Sequence, residues 1–196
     1  MTHPDFELAQ QYALERLERE LSPRLVYHSL WHTRDEVVPA VERLAALEGV
    51  TSEALLLLRT GAWYHDIGCL VQRPDHEAIG VGIAYAALPR FGYSAEHLRV
   101  ITGLILATKL PQTPHTLLEE ILADADLDVL GREDFFARSA ALRAETEALG
   151  QPTTDAGWNQ GQQAFLQNHR YFTPSAHRLR DPQKAQNVLK LSQMLG

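Results

Sequence analysis

The feature that most restricts this chain's fold is the period of its apolar residues. Phe6, Ala9, Leu14, Leu17 and Leu21 fall on one helical stripe, and stripes of the same kind recur toward the C-terminus with no strand-like alternation of useful length between them. The expected fold class is therefore all-α. Ser22 and Pro23 stop the first stripe. A second helix is expected from about 27 to 47, kinked or restarted by Pro39. The run TSEALLLLRTGAWYHDIG opens with hydroxyl residues and an acidic first turn and ends near Gly68, a suitable helix stop. Further helices are expected at about 76–89, at 94–108 with Ser94 as its opening residue, and at 116–125, where Thr116 and Glu119 have capping-box spacing. The last three are expected at 133–149, 154–169 and 182–195, the final one beginning with Pro182 just inside it. VQRPD, KLPQTPH and GQPTTD read as loops within one helical domain spanning 1–196.

Composition bounds the function. A chain of 196 residues with 45% hydrophobic content can bury one real core. Its formal charge of -7 argues against a surface that tracks nucleic-acid phosphates. Cys69 is the only cysteine, so an internal disulfide is impossible and a reducing compartment is expected. The N-terminal residues lack a basic start followed by an apolar segment, and no apolar run approaches the ~18 residues of a membrane span. The expectation is a soluble cytoplasmic protein with no membrane partner.

Within the third apolar run stand an adjacent imidazole and carboxylate, His65 and Asp66. A buried carboxylate is costly unless paired, hydrogen-bonded or metal-bound, and histidine is a further ligand that divalent metals accept. By itself the pair reads as a polar helix end. Upstream, YHSLWHT contributes His28 and His32, four apart and so expected on one helical face; downstream, ILADADLDVLG contributes Asp124, Asp126 and Asp128. Three helices can bring such groups to one point in a bundle, and the set fits a metal better than accidental polarity.

The order YHSLWHT, YHDIG, HEAIG, LADADLDVLG resembles the HD-domain superfamily of metal-dependent phosphohydrolases, an all-helical fold. The resemblance covers roughly residues 25–132, with the helices of 133–196 expected to pack on that core as part of a single HD-domain bundle. ATKLPQTPH, DADLDVLGREDFF and FLQNHRYFTPSAHRLRD further resemble a bacterial branch of these phosphohydrolases. Carried over by position, the resemblance implies metal ligands at His32, His65, Asp66 and Asp124. It implies a hydrolase acting on a phosphoester of a nucleotide or related small phosphate, with one or two ions of Mn, Mg, Fe, Co, Ni or Zn, and no nucleic-acid polymer as partner. Imidazoles and carboxylates suit these metals, which lower the pKa of water toward ~7 and polarise a phosphoryl oxygen.

Other polar residues are secondary. His28 matches a histidine that protonates the leaving oxygen in the cyclic-nucleotide phosphodiesterase branch, and reads equally as a hydrogen-bonding neighbour of the ligands. Asp66 is expected to help orient the attacking water. His76 resembles a second-metal ligand of binuclear members. Lys109 and Arg73, in loops, are candidates for holding a substrate phosphate. Asp126 is expected to hydrogen-bond locally and Asp128 to form a turn. Trp31, Trp63 and Trp158 read as packing residues and Cys69 as a small buried one. The alternatives to a nucleotide hydrolase are a cyclic-nucleotide phosphodiesterase, an HD-type di-iron oxygenase and a metal-binding regulatory module without turnover.

Overall fold

Nine α-helices build the fold among residues 3–196, the part of the chain that the computed structural model describes: α1 (Phe6–Glu20), α2 (Val38–Leu47), α3 (Ser52–Tyr64), α4 (His76–Ala87), α5 (Ala95–Ala107), α6 (Leu117–Asp126), α7 (Phe135–Ala148), α8 (Asp155–Asn168) and α9 (Pro174–Leu195). No strand is present among these residues, and the architecture is an all-α bundle. None of the helices is long and apolar enough to cross a membrane.

Side-chain caps start several helices where the sequence places hydroxyls and carboxylates. Asp5 accepts from the Leu8 amide at 3.0 Å and opens α1. Ser94 and His97 form a reciprocal capping box at α5. Thr116 accepts from the Glu119 amide at 3.3 Å, whereas the Glu119 carboxylate turns to the His115 amide at 2.7 Å. Thr154 and Thr173 cap α8 and α9 in the same way.

Helix α3 occupies the centre, in contact with α1, α2, α5 and α6. Leu57, Leu58, Ala62, Trp63 and Tyr64 are all buried, so the end of this helix is apolar on every side. One core layer joins α1, α3, α4 and α5, and another joins α2, α3, α5 and α6 with Tyr171 and Ala176 at the start of α9. Each fully buried side chain such as Leu58 or Ile101 stabilises the fold by about 1.5–3 kcal/mol. A smaller cluster of Val129, Leu130, Phe135, Leu166 and Leu191 holds the C-terminal helices together.

The structure corrects the sequence reading in three places. Residues 27–29 are bends, and the segment before Pro39 is a π-helical turn, His32–Val37, in which the Val38 amide reaches back to the Thr33 carbonyl. Pro39 cannot donate to the carbonyl four residues earlier and its ring crowds it, so the wider turn relieves the clash. The central helix stops at Tyr64, and Ile67–Leu70 is a short 3-10 turn. Its Gly68 is there for close packing: a Cβ would lie 1.9 Å from the His76 carbonyl oxygen. The last helix begins at Pro174, capped by Thr173, and Pro182 lies inside it on an exposed face where water can serve the freed carbonyl.

Candidate metal centre

Burying all sides of α3 carries its C-terminal residues into the interior. His65 is fully buried and Asp66 is 5% exposed. The His65 Nδ1–H donates to the Ala62 carbonyl at 2.7 Å, which leaves the Nε2 lone pair directed at Asp66 Oδ2, 3.3 Å away, and at Asp126 Oδ1, 3.6 Å away. His32, on the π-helical turn, repeats the pattern. Its Nδ1–H donates to Glu36 Oε2 at 3.0 Å, and Nε2 faces Asp126 Oδ1 at 3.1 Å and Asp66 Oδ2 at 3.8 Å. His76, in the first turn of α4, donates its Nδ1–H to the Arg73 carbonyl at 2.8 Å and turns Nε2 toward Asp66 Oδ1 at 3.0 Å. Three imidazoles are thus fixed through Nδ1; His32 and His65 aim Nε2 at both Asp66 and Asp126, and His76 aims it at Asp66.

The chemistry of these facing groups calls for positive charge between them. A neutral imidazole with its proton on Nδ1 offers only a lone pair at Nε2, and a carboxylate oxygen also only accepts. His65 Nε2 and Asp66 Oδ2 are buried atoms without a hydrogen-bond partner. Acceptors facing acceptors in a buried site require either protons or a cation. In the absence of metal, burial disfavours the charged imidazole of His32, but the carboxylates of Asp126, Glu36 and Asp66 outweigh it and raise its pKa to about 10. His76 is raised to about 9 against the same desolvation, chiefly by Asp66. Burial opposes ionisation of Asp66 too, and the neighbouring imidazoles overcome it and hold the carboxyl well below its usual range.

His32, His65 and Asp66 have ligand atoms within 4.8 Å of one another, and so do Asp66, Cys69 and His76. Buried histidine and aspartate groups here could hold a metal ion. Nitrogen and oxygen donors of this kind suit divalent transition metals and magnesium, and the Nδ1 anchors are the orienting bonds that metal-binding histidines need. Glu36, which anchors His32, is itself clamped by Arg132 at 2.8 Å and Arg138 at 2.9 Å.

Asp124 is elsewhere. Its carboxylate accepts from the Phe172 amide at 2.8 Å, the Thr173 amide at 2.8 Å and the Thr173 hydroxyl at 2.7 Å, tying the last turn of α6 to the start of α9. The aspartate that meets the histidines is Asp126, two residues later and about 200° around the helix. The expectation that Asp124 joins the histidines is therefore corrected: Asp126 stands there instead. Asp128 is an ion-pair residue rather than a bare turn former, bound by Arg180 at 2.7 and 2.8 Å and by Arg43 at 2.9 Å.

The site opens on a cavity of about 610 Å³ whose walls include His28, Asp66, Arg73, His76, Lys109 and Asp126. His28 lies in the bends before the π-helical turn, not on a shared helical face with His32, although the two rings still approach to 6.2 Å. Its Nδ1 meets Glu145 Oε1 at 2.5 Å; the same fully buried carboxylate accepts from the Tyr27 and His28 amides, both at 2.9 Å, and lies 3.1 Å from Arg73 Nε. Lys109, exposed at the cavity, pairs with Asp75 at 2.6 Å. Of the three tryptophans only Trp63 is a core residue; Trp31 is 42% exposed and Trp158 lines the cavity. Glu36, Arg138 and Glu145 were not singled out from the sequence. The i,i+4 spacing of His32 and Glu36 was the one available signal for Glu36.

The fold and site together define an all-α bundle with a buried histidine and aspartate cluster beside a large cavity. No protein-family model matches the chain and no curated protein matches it. A crystal structure of a Lactobacillus plantarum protein, determined as a structural-genomics target, is similar with a TM-score of 0.70 and 19% identity, over 96% of this chain and 94% of that one. At this identity the likeness is one of fold.

Proposed function

We propose that the chain is a metal-dependent phosphohydrolase of the HD-domain type, cleaving a phosphoester of a nucleotide or related small phosphate. The observation that carries this reading is the convergence of Nε2 atoms from His32 and His65 on the oxygens of Asp66 and Asp126 at the cavity. Those four residues would hold the ion, with His76 and Cys69 available to a second one that shares Asp66. When bound, a divalent cation supplies Lewis acidity and a water acidic enough to attack at neutral pH.

The chain's own groups account for the rest. Asp66 has the geometry to share its carboxylate between ligation and the orientation of a nucleophilic water. Glu145 fixes His28 through Nδ1 and leaves its Nε2 free to hand a proton to the leaving oxygen. Arg73 and Lys109 bring positive charge to the cavity wall for the phosphoryl oxygens.

The test is metal analysis of protein purified without added metal, followed by a panel of nucleotides, cyclic nucleotides and simple phosphomonoesters with Mn, Mg, Co and Ni. Phosphate release that disappears in Asp66→Ala and Asp126→Ala supports the reading. His28→Ala should lower turnover by roughly 10²–10⁴-fold with metal content kept. Release of phosphate at equal rates by the parent and both aspartate variants would overturn it. The same panel separates a cyclic-nucleotide phosphodiesterase, and bound iron without phosphatase activity would turn attention to oxygen chemistry.

A further inference from the structure

The cavity is larger than a phosphoryl group needs, and its walls differ in chemistry. His28, Arg73 and Lys109 stand with the aspartates, whereas Leu127, Leu142, Trp158 and Phe165 supply an apolar wall from the end of α6 and from α7 and α8. Helix α8 carries no lysine or arginine, and the one α7 cation in the wall, Arg138, is already paired with Glu36 at 2.9 Å, so a second phosphate passing along α8 would lose water and meet no free counter-charge.

Core packing accounts for Leu166 of α8, and for Phe165 where it touches the smaller C-terminal cluster, but not for the rest of its face. Of its fourteen residues only Leu166 is buried, yet Trp158, Gln162 and Phe165 recur at i, i+4 and i+7 on one face, and that face is the cavity wall. The Trp158 indole is held in place by its N–H bond to Ser139 Oγ at 2.9 Å. Gly161 also lines the cavity, and a Cβ at this position would touch nothing within 4 Å. A glycine in mid-helix weakens the helix, and here no close approach of another segment requires it. What it does is keep the wall of the cavity open.

We infer that the α7–α8 hairpin is the recognition wall for the group esterified to the phosphate, and that this group is bulky, uncharged and mainly aromatic or aliphatic. It rests on the phosphohydrolase reading of the metal end. The indole of Trp158 and the side chains of Leu142 and Phe165 cover the group's apolar surface, and the Gln162 carboxamide serves a polar edge. An ester extended by further phosphates is the poorer ligand.

Calorimetric titration of the full-length protein with Mn and three phosphonates of equal charge, carrying methyl, phenyl or naphthyl groups, tests the assignment. Affinity should rise along the series, with naphthyl at least ~10-fold tighter than methyl. Gly161→Leu, which fills the wall, should remove most of that advantage, while Gln160→Leu, on the exposed face next to it, should bind the series like the parent. Equal affinities for the three phosphonates, or equal effects of the two leucine variants, would overturn the inference while leaving the phosphohydrolase intact. If no phosphonate binds and phenyl phosphate is not hydrolysed with Mn, Mg, Co or Ni, the underlying reading fails and the inference with it.

Discussion

Asp124 and Asp126 stand two residues apart on α6, one fully buried and the other reaching the cavity, and they do opposite jobs. Asp124 meets three donors from α9 and its preceding residues, so its charge is spent on holding the fold. Asp126 has no such donors and instead faces the Nε2 atoms of two imidazoles. Burial of a carboxylate is therefore a poor guide to its role, and the donor count around it is a better one.

Removing each carboxylate should break the comparison most sharply. Asp124→Ala strands two amides and a hydroxyl in the interior and should cost about 3 kcal/mol or more, a fall in Tm of roughly 6–12 °C in a chain of this length. Asp126→Ala should change the Tm of chelated protein by no more than ~2–4 °C and instead abolish metal binding. Thermal unfolding with and without metal separates the two, and a reversal of the pattern would return Asp124 to the site. The next effect is that of metal itself. At 100 times its dissociation constant an ion bound only by the native state adds about 2.7 kcal/mol, so Mn should raise the Tm by roughly 5–11 °C in the parent and in no Asp66→Ala sample.

Gly68→Ala tests how tightly the two turns must meet. Its Cβ would lie on the His76 carbonyl, so Asp66 and His76 have to separate, and about 1–3 kcal/mol should be lost together with part of the metal affinity. Titration of the chelated protein gives a smaller but directional signal. The folded pKa values of His32 and His76, about 10 and about 9, lie above the value of 6.5 for a free imidazole, so their stabilisation is complete below pH 6.5 and lost as pH rises through 9 and 10. Asp124 acts in another window: burial, working against its three donors, pushes its carboxyl up to about 6, so stability is lost as pH rises from about 4 to 6. Asp126→Asn should weaken the His32 part of the upper limb and leave the His76 part, which Asp66 sets, and the Asp124 window unchanged, as read from Tm against pH. Lys109→Ala, which breaks an exposed pair screened by water, should leave the Tm essentially unchanged, and a clear fall would give Lys109 a structural role.

The helices were legible because their periods and caps are local: Ser94, Thr116 and Thr154 announce their helices within four residues. His32, His65 and Asp66 were legible as a set because each stands in an apolar helical setting. The choice among the three aspartates was not. Residues two apart on a helix point to nearly opposite sides, and which side faces α3 depends on packing with α2 and α5, which no window of sequence contains. Pro39 was expected to kink or restart the helix; it stands in the first turn of α2, which restarts there, and what the sequence did not announce is the changed hydrogen-bond period of the turn before it. Pro182 drew the helix start toward itself because proline favours first turns, while the true start, Thr173 followed by Pro174, carried the same signal eight residues earlier.

Glu145 and the bonds to Asp124 bear on how the protein is made. A nascent chain that has emerged through α6 already carries His28, His32, His65, Asp66 and Asp126. The arginines that neutralise Glu36, the carboxylate that seats His28 and the amides that satisfy Asp124 all lie in the last third of the sequence. On the ribosome, then, the buried histidines and aspartates exist before the frame that aims them. Folding of the C-terminal helices is the step that fixes Glu36, His28 and Asp124 in their final geometry.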